Sequence, residues 1–209
     1  MTENSITVKK KAAFSTYGNP GKAKHIIFAL HGYGQLSRFF IKKFQGLGED
    51  YYIVAPEGLH RFYLEGSSGR VGASWMTKEQ REDDIKDYIQ YLNKLWKEIS
   101  EMHSFKKKIL LGFSQGGATA SRWHQHGAFN ANSIVMWGAI FPPDLPQNWE
   151  VNFQSTENYF VVGDKDPYYD IKKIDAQIKF FEEKSVNFTT LVFNGKHEID
   201  QSTLLKICQ

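Results

Sequence analysis

Ser114, His197 and an aspartate from Gly163-Asp164-Lys165-Asp166-Pro167 are of the residue types that together transfer acyl groups. Ser114 sits in Gly112-Phe113-Ser114-Gln115-Gly116-Gly117, directly after the apolar run Ile109-Leu110-Leu111. The helix-compatible stretch Ala118-Thr119-Ala120-Ser121-Arg122-Trp123 follows. G-x-S-x-G between a strand and a helix predicts a sharp turn with the serine at its apex, a nucleophile elbow. Gly112 and Gly116 lack a Cβ, so the backbone can turn tightly and pack closely around the serine. The first amides of the helix then point toward the hydroxyl and favour developing negative charge.

A serine hydroxyl is a weak nucleophile at neutral pH. It needs a histidine to take its proton, a carboxylate to orient that histidine, and backbone donors for the oxyanion. With this elbow the parts follow in the order Ser, Asp or Glu, then His. His25, His31, His60 and His103 precede the serine. His124 and His126 fall near the far end of the helix that the elbow begins, too far along its rise of about 1.5 Å per residue. His197, in the loop after Phe193-Asn194-Gly195-Lys196, is left as the base.

The order rule admits Asp164, Asp166 and Asp170 as the acid, and loop geometry favours Asp166. Asp164 suits turn hydrogen bonds at a strand end. Asp144, within Pro-Pro-Asp-Leu-Pro, reads as part of a connecting loop. The oxyanion donors expected are the backbone amides of Gln115 and of Tyr33, the latter in Leu30-His31-Gly32-Tyr33-Gly34-Gln35. His31 reads as a structural residue that holds this loop.

These parts need elements to carry them. Apolar runs at His25–Leu30, Tyr51–Ala55, Ile109–Leu111, Ser133–Trp137, Tyr159–Val162 and Phe188–Phe193 predict strands. Continuous apolar runs suit a mainly parallel sheet covered on both faces. Ile6 to Phe14 reads as an antiparallel opening strand. A helix is predicted from Lys78 to about Met102, with Thr77 and Gln80 as a capping box and Ile85, Ile89, Leu92, Trp96 and Ile99 as its apolar face. Ile171, Ile174, Ile178 and Phe181 mark a second helix, and Leu204, Leu205 and Ile207 a third. His60 to Ser74 is weakly patterned and reads as a loop shaping the pocket mouth. Strands alternating with helices give an α/β fold, a mainly parallel open sheet in three α/β/α layers, as one domain over residues 1–209. Ligands in such sheets bind at the carboxyl ends of the strands.

Composition narrows the partners. A net charge of +3 is too small to argue for nucleic acid or an anionic membrane surface. Lys9-Lys10-Lys11 and Lys106-Lys107-Lys108 read as solvated edges. No run reaches the roughly 18 apolar residues that a spanning helix needs. The segment 1–11 lacks the apolar stretch of a signal peptide. The single cysteine, Cys208, excludes an intrachain disulfide and a cysteine-based zinc site. The expectation is a cytoplasmic protein that needs no metal or organic cofactor. The oligomeric state is left open.

Taken together, Leu30-His31-Gly32-Tyr33-Gly34, the Phe-Ser-Gln-Gly-Gly run, Gly163-Asp164-Lys165-Asp166-Pro167 and His197 resemble the phospholipase/carboxylesterase family of α/β-hydrolases, which includes small bacterial carboxylesterases and acyl-protein thioesterases. The resemblance runs from about His25 to the C-terminus. It implies Ser114 as nucleophile, Asp166 as orienter, His197 as base, and the amides of Tyr33 and Gln115 as oxyanion hole. It also implies a small-molecule ester or thioester substrate. Two features depart from the family pattern. Pro56-Glu57-Gly58-Leu59, with Ser74-Trp75-Met76 further on, stands where relatives carry Pro-x-x-Pro and a tryptophan loop, and Lys196 separates His197 from its glycine. The altered loops are those expected to line the acyl pocket, for which Trp75, Phe39, Phe40 and Phe141 are candidates. Acyl transfer to another acceptor by the same residues, and a non-catalytic binding protein on the same scaffold, are the alternative readings.

Overall fold

The apolar runs form strands because the sheet they build is covered on both faces, and the period of two sorts their side chains between two cores. In the computed structural model, which describes residue 2 and residues 4–208, the strands are β1 (Phe14–Tyr17), β2 (His25–Leu30), β3 (Tyr51–Pro56), β4 (His60–Glu65), β5 (Ser68–Ser74), β6 (Lys107–Phe113), β7 (Ser133–Trp137), β8 (Glu157–Gly163) and β9 (Phe188–Phe193). Met1, Glu3 and Gln209, within the span expected for the domain, lie outside the described residues, as does that part of the N-terminal segment. The helices are α1 (Ser37–Phe40), α2 (Arg81–Ser100), α3 (Gln115–His126), α4 (Glu150–Gln154), α5 (Ile171–Glu183) and α6 (Gln201–Ile207).

Seven strands make one sheet in the order β1-β3-β2-β6-β7-β8-β9, and only β1 runs antiparallel. Ile26, Phe28 and Leu30 of β2 join Leu110, Ile134, Met136 and Phe160 in one core. That core is closed by α2, through Ile85, Tyr88, Leu92, Leu95 and Ile99, and by Trp123 of α3. Ile27 and Ala29 face the opposite way, with Ile109, Leu111, Val135 and Trp137, under Phe40, Phe44, Leu204 and Ile207. The three-layer α/β/α architecture is therefore as expected. Among the described residues no helix is long and apolar enough to cross a membrane.

Three local expectations are corrected, those for the opening strand, the start of α2 and the segment His60 to Ser74. The opening strand is Phe14–Tyr17, not Ile6 to Phe14, because its partner offers Pro56 to Ile53 as the paired register. The helix expected from Lys78 begins at Arg81. Gln80 is in the left-handed region at φ 47°, and the Thr77 hydroxyl accepts the Glu79 N–H at 3.2 Å, so no capping box forms. Tyr88 and Leu95 are buried on α2, whereas Ile89 and Trp96 are partly buried at its margin. On the last helix Leu204 and Ile207 are buried, while Leu205 faces outward. The segment His60 to Ser74 is a hairpin, β4 paired antiparallel to β5, not a loop.

Candidate active site

Ser114 falls between the end of β6 and the start of α3, at φ 53° and ψ −120°. A non-glycine residue there is strained, and the cost is accepted only where the surroundings fix the turn. Close backbone packing does so. A Cβ on Gly112 would overlap the Gly116 carbonyl, and one on Gly116 would overlap the Leu30 carbonyl. The Ser114 N–H donates to Trp137 O at 2.9 Å, tying the elbow to the end of β7.

His197 and Asp166 are joined by a 2.6 Å contact from Nδ1 to Oδ2. A carboxylate only accepts, so Nδ1 carries the proton and Nε2 is left to act as a base. The Asp166 side chain is 1% exposed, and its second oxygen accepts the Tyr168 N–H at 2.9 Å. Both carboxylate oxygens are thus held, which fixes the histidine ring. The ring lies 4.7 Å from that of Phe113, the neighbour of Ser114, and 4.8 Å from that of Tyr168. Gly138, at φ +51°, makes room for it: a Cβ there would stand 2.9 Å from His197 Cε1. Ser114 and His197 are therefore brought to the same corner of the sheet, with no hydrogen bond between the hydroxyl and Nε2. Such bonds are often loose in the free protein and tighten around substrate.

The other carboxylates have different work. Asp164 accepts the Gly195 N–H at 3.0 Å, the turn role expected of it. Asp170 caps α5 by accepting the Lys173 N–H at 2.9 Å. Asp144 takes Arg122 Nε at 2.9 Å and Nη2 at 2.7 Å, and Arg81 at 2.8 Å. Burial alone would raise the Asp144 pKa, but hydrogen bonds from these two guanidinium groups outweigh it and hold the carboxyl at about 2. The lowered value means that the pair stabilises the fold above the ordinary value of 3.8, and that this stability is lost as the pH falls toward about 2. Asp144→Asn leaves the buried Arg122 without its counter-ion. It is expected to cost about 3 kcal/mol at neutral pH, a fall in Tm of roughly 6–12 °C. Thermal unfolding at pH 7 and pH 3 checks this: the wild-type advantage should shrink at the lower pH, and an unchanged Tm at pH 7 would refute the role.

His31 is fully buried. Its Nε2 accepts the Gly58 N–H at 2.9 Å, and its Nδ1 donates to Gly32 O at 2.7 Å. Burial pushes its pKa down, in keeping with a neutral ring that braces the loop after β2. The Gln115 side chain braces the other side. Its Oε1 accepts the Trp75 N–H at 3.1 Å, and its Nε2 donates to Met76 O at 3.0 Å.

Among the four aromatic residues expected to line the acyl pocket, three fill the core. Trp75 is 0% exposed and donates from Nε1 to His31 O at 2.8 Å. Phe40 packs on Phe44 and Phe113, and Phe141 packs on Trp149 and Phe153. Phe39 is exposed beneath the Arg38 guanidinium. Sequence reasoning overlooked Tyr168, whose amide holds Asp166 and whose ring is 63% exposed beside His197. It also overlooked Gly138. Neither carries a motif; only proximity in the fold reveals them.

Residues 22–205 match the family model described as Serine hydrolase (FSH1). Solved structures similar to this chain include esterase PE8, at TM-score 0.72 and 21% identity, covering 95% of this chain and 96% of that one. A carboxylesterase from Mesorhizobium loti aligns at TM-score 0.74 and 12% identity, over 94% and 93% of the two chains. Acyl-protein thioesterase 2 from Zea mays aligns at TM-score 0.72 and 15% identity, over 95% and 96%. These likenesses establish the α/β-hydrolase fold. No curated protein matches the chain in sequence.

Proposed function

This chain belongs to the FSH1 serine hydrolase family and is a hydrolase, and from that premise we propose that it cleaves carboxylic esters or thioesters through an acyl-enzyme formed on Ser114. The observation that carries this reading is the 2.6 Å contact between His197 Nδ1 and the buried Asp166, beside a serine held in a strained turn. The Ser114 Oγ attacks the acyl carbon as Nε2 of His197 takes its proton. The amides of Tyr33 and Gln115 hold the tetrahedral oxyanion. The intermediate then collapses, and the alcohol or thiol leaves with the proton from Nε2. Water, deprotonated by the same nitrogen, attacks the acyl-enzyme and releases the acid and Ser114.

All these parts follow the carboxyl ends of strands of one sheet, which supports a single domain over residues 1–209. The free thiol of Cys208 is consistent with a cytoplasmic setting. The substrate is a small-molecule ester or thioester.

A fluorophosphonate probe tests the reading. It is expected to form one covalent adduct, at Ser114 by peptide mass spectrometry, with loss of p-nitrophenyl ester turnover in step. Absence of labelling, with no turnover of a chain-length series of esters and thioesters, would point to a binding protein instead.

A further inference from the structure

The turn that carries Tyr33 uses almost every amide it has. The Gly32 N–H donates to the side-chain Oε1 of Gln35 at 2.9 Å. The Gly34 N–H donates to Ala73 O at 2.9 Å, and the Gln35 N–H donates to Gly32 O at 3.2 Å. Ala73, on β5, donates its own N–H back to Gln35 O at 3.2 Å. Of the four amides from Gly32 to Gln35, only that of Tyr33 has no acceptor among the described residues. Gly32 stands between Gln35 and the elbow: a Cβ on it would lie 3.4 Å from Gln35 Oε1 and 3.1 Å from Ser114 Cβ.

We propose that Gln35 is a positioning residue for the reaction. By accepting the Gly32 N–H, its carboxamide closes the turn so that the Tyr33 N–H alone faces the oxyanion, and the β4–β5 hairpin clamps Gln35 in that place. This rests on the reading of Ser114 as the acylated nucleophile. A buried N–H stripped of its acceptor drives the backbone to rotate toward another partner. A donor displaced from the oxyanion loses its effect on the transition state while leaving ground-state binding nearly intact.

The test uses Gln35→Leu, which keeps the bulk and removes the acceptor. With a p-nitrophenyl ester, kcat is expected to fall about 10- to 100-fold, with KM within about threefold. The inhibition constant of a trifluoromethyl ketone bearing the same acyl group, which forms an oxyanion on the serine, is expected to rise by a similar factor. In the wild-type protein, amide exchange by NMR is expected to be slow at Gly32, Gly34 and Gln35 and fast at Tyr33, with the ketone protecting Tyr33. A Gln35→Leu kcat within twofold of wild type overturns the proposal, as does a loss of kcat with unchanged ketone affinity. Should that variant not fold, the exchange pattern decides, and Gly32 exchanging as fast as Tyr33 overturns it. The two ideas fail differently: if the ketone forms no adduct with wild-type Ser114, the nucleophile reading falls, whereas an adduct with a silent Gln35→Leu removes only Gln35.

Discussion

Ser114→Ala is expected to lower ester turnover by about 10⁴- to 10⁶-fold while leaving the fold in place. The size follows from the chemistry: without Oγ no acyl-enzyme forms, and the oxyanion donors alone can only assist attack by water. The fold should survive because the hydroxyl makes no hydrogen bond within the described residues, and alanine occupies the same strained turn at the same cost. Glycine relieves that cost. A residue held at φ 53° stores roughly 1–3 kcal/mol, part of which the greater freedom of glycine in the unfolded chain cancels. Ser114→Gly should therefore be as inactive as Ser114→Ala and more stable by about 1 kcal/mol, a rise in Tm of about 2–4 °C. Kinetics with a p-nitrophenyl ester and thermal unfolding of both variants measure this. Turnover of Ser114→Ala near the wild-type rate would end the assignment. A less stable Ser114→Gly would show that the turn is not strained.

Strands β2 and β7 coincide with the apolar runs His25–Leu30 and Ser133–Trp137, since interior strands of a covered sheet have little choice of residue type, and the edge strand β9 coincides with Phe188–Phe193 through its β-branched and aromatic residues. The hairpin escaped notice for the opposite reason. β4 and the first half of β5 are mostly exposed, so no burial pattern marks them, and Gly66 and Gly69 at positive φ read as loop signals. What makes them strands is pairing with each other and, through Ala73, with Gln35. The start of α2 was misplaced because Thr77 spends its hydroxyl on Glu79, a local choice that competes with capping a helix.

In the proposed site, Ser114 and His197 are read from pattern and chain order alone. Among the three acids after one strand the sequence favours Asp166, and the structure adds their contacts: Asp166 meets His197, Asp164 takes the Gly195 N–H and Asp170 caps α5. The pocket was least legible. An aromatic residue near a motif is as suited to a core as to a cleft, and Trp75, Phe40 and Phe141 went to the core. The ring exposed beside His197, that of Tyr168, follows Pro167 in a segment whose sequence shows no periodicity.

Asp166→Asn separates the chemistry of the acid from its shape. The Oδ1 of Asp166 accepts the Tyr168 N–H, and an asparagine would keep its carbonyl oxygen there, since its amide nitrogen cannot accept. The Nδ2 then faces His197 Nδ1 as a donor. The imidazole answers by moving its proton to Nε2, the atom that must receive the serine proton, and the base is blocked. The negative charge that stabilises the imidazolium is lost as well. Turnover is expected to fall on the order of 10⁴-fold with KM little changed, and ¹⁵N spectra should report the Nε2–H tautomer in the variant against Nδ1–H in the wild type. Asp164→Asn and Asp170→Asn are expected to stay within about threefold of wild type, because those carboxylates serve a turn and a helix cap. A loss below tenfold for Asp166→Asn, or an equal loss for Asp164→Asn, would move the acid elsewhere and with it the reason for the buried carboxylate beneath His197.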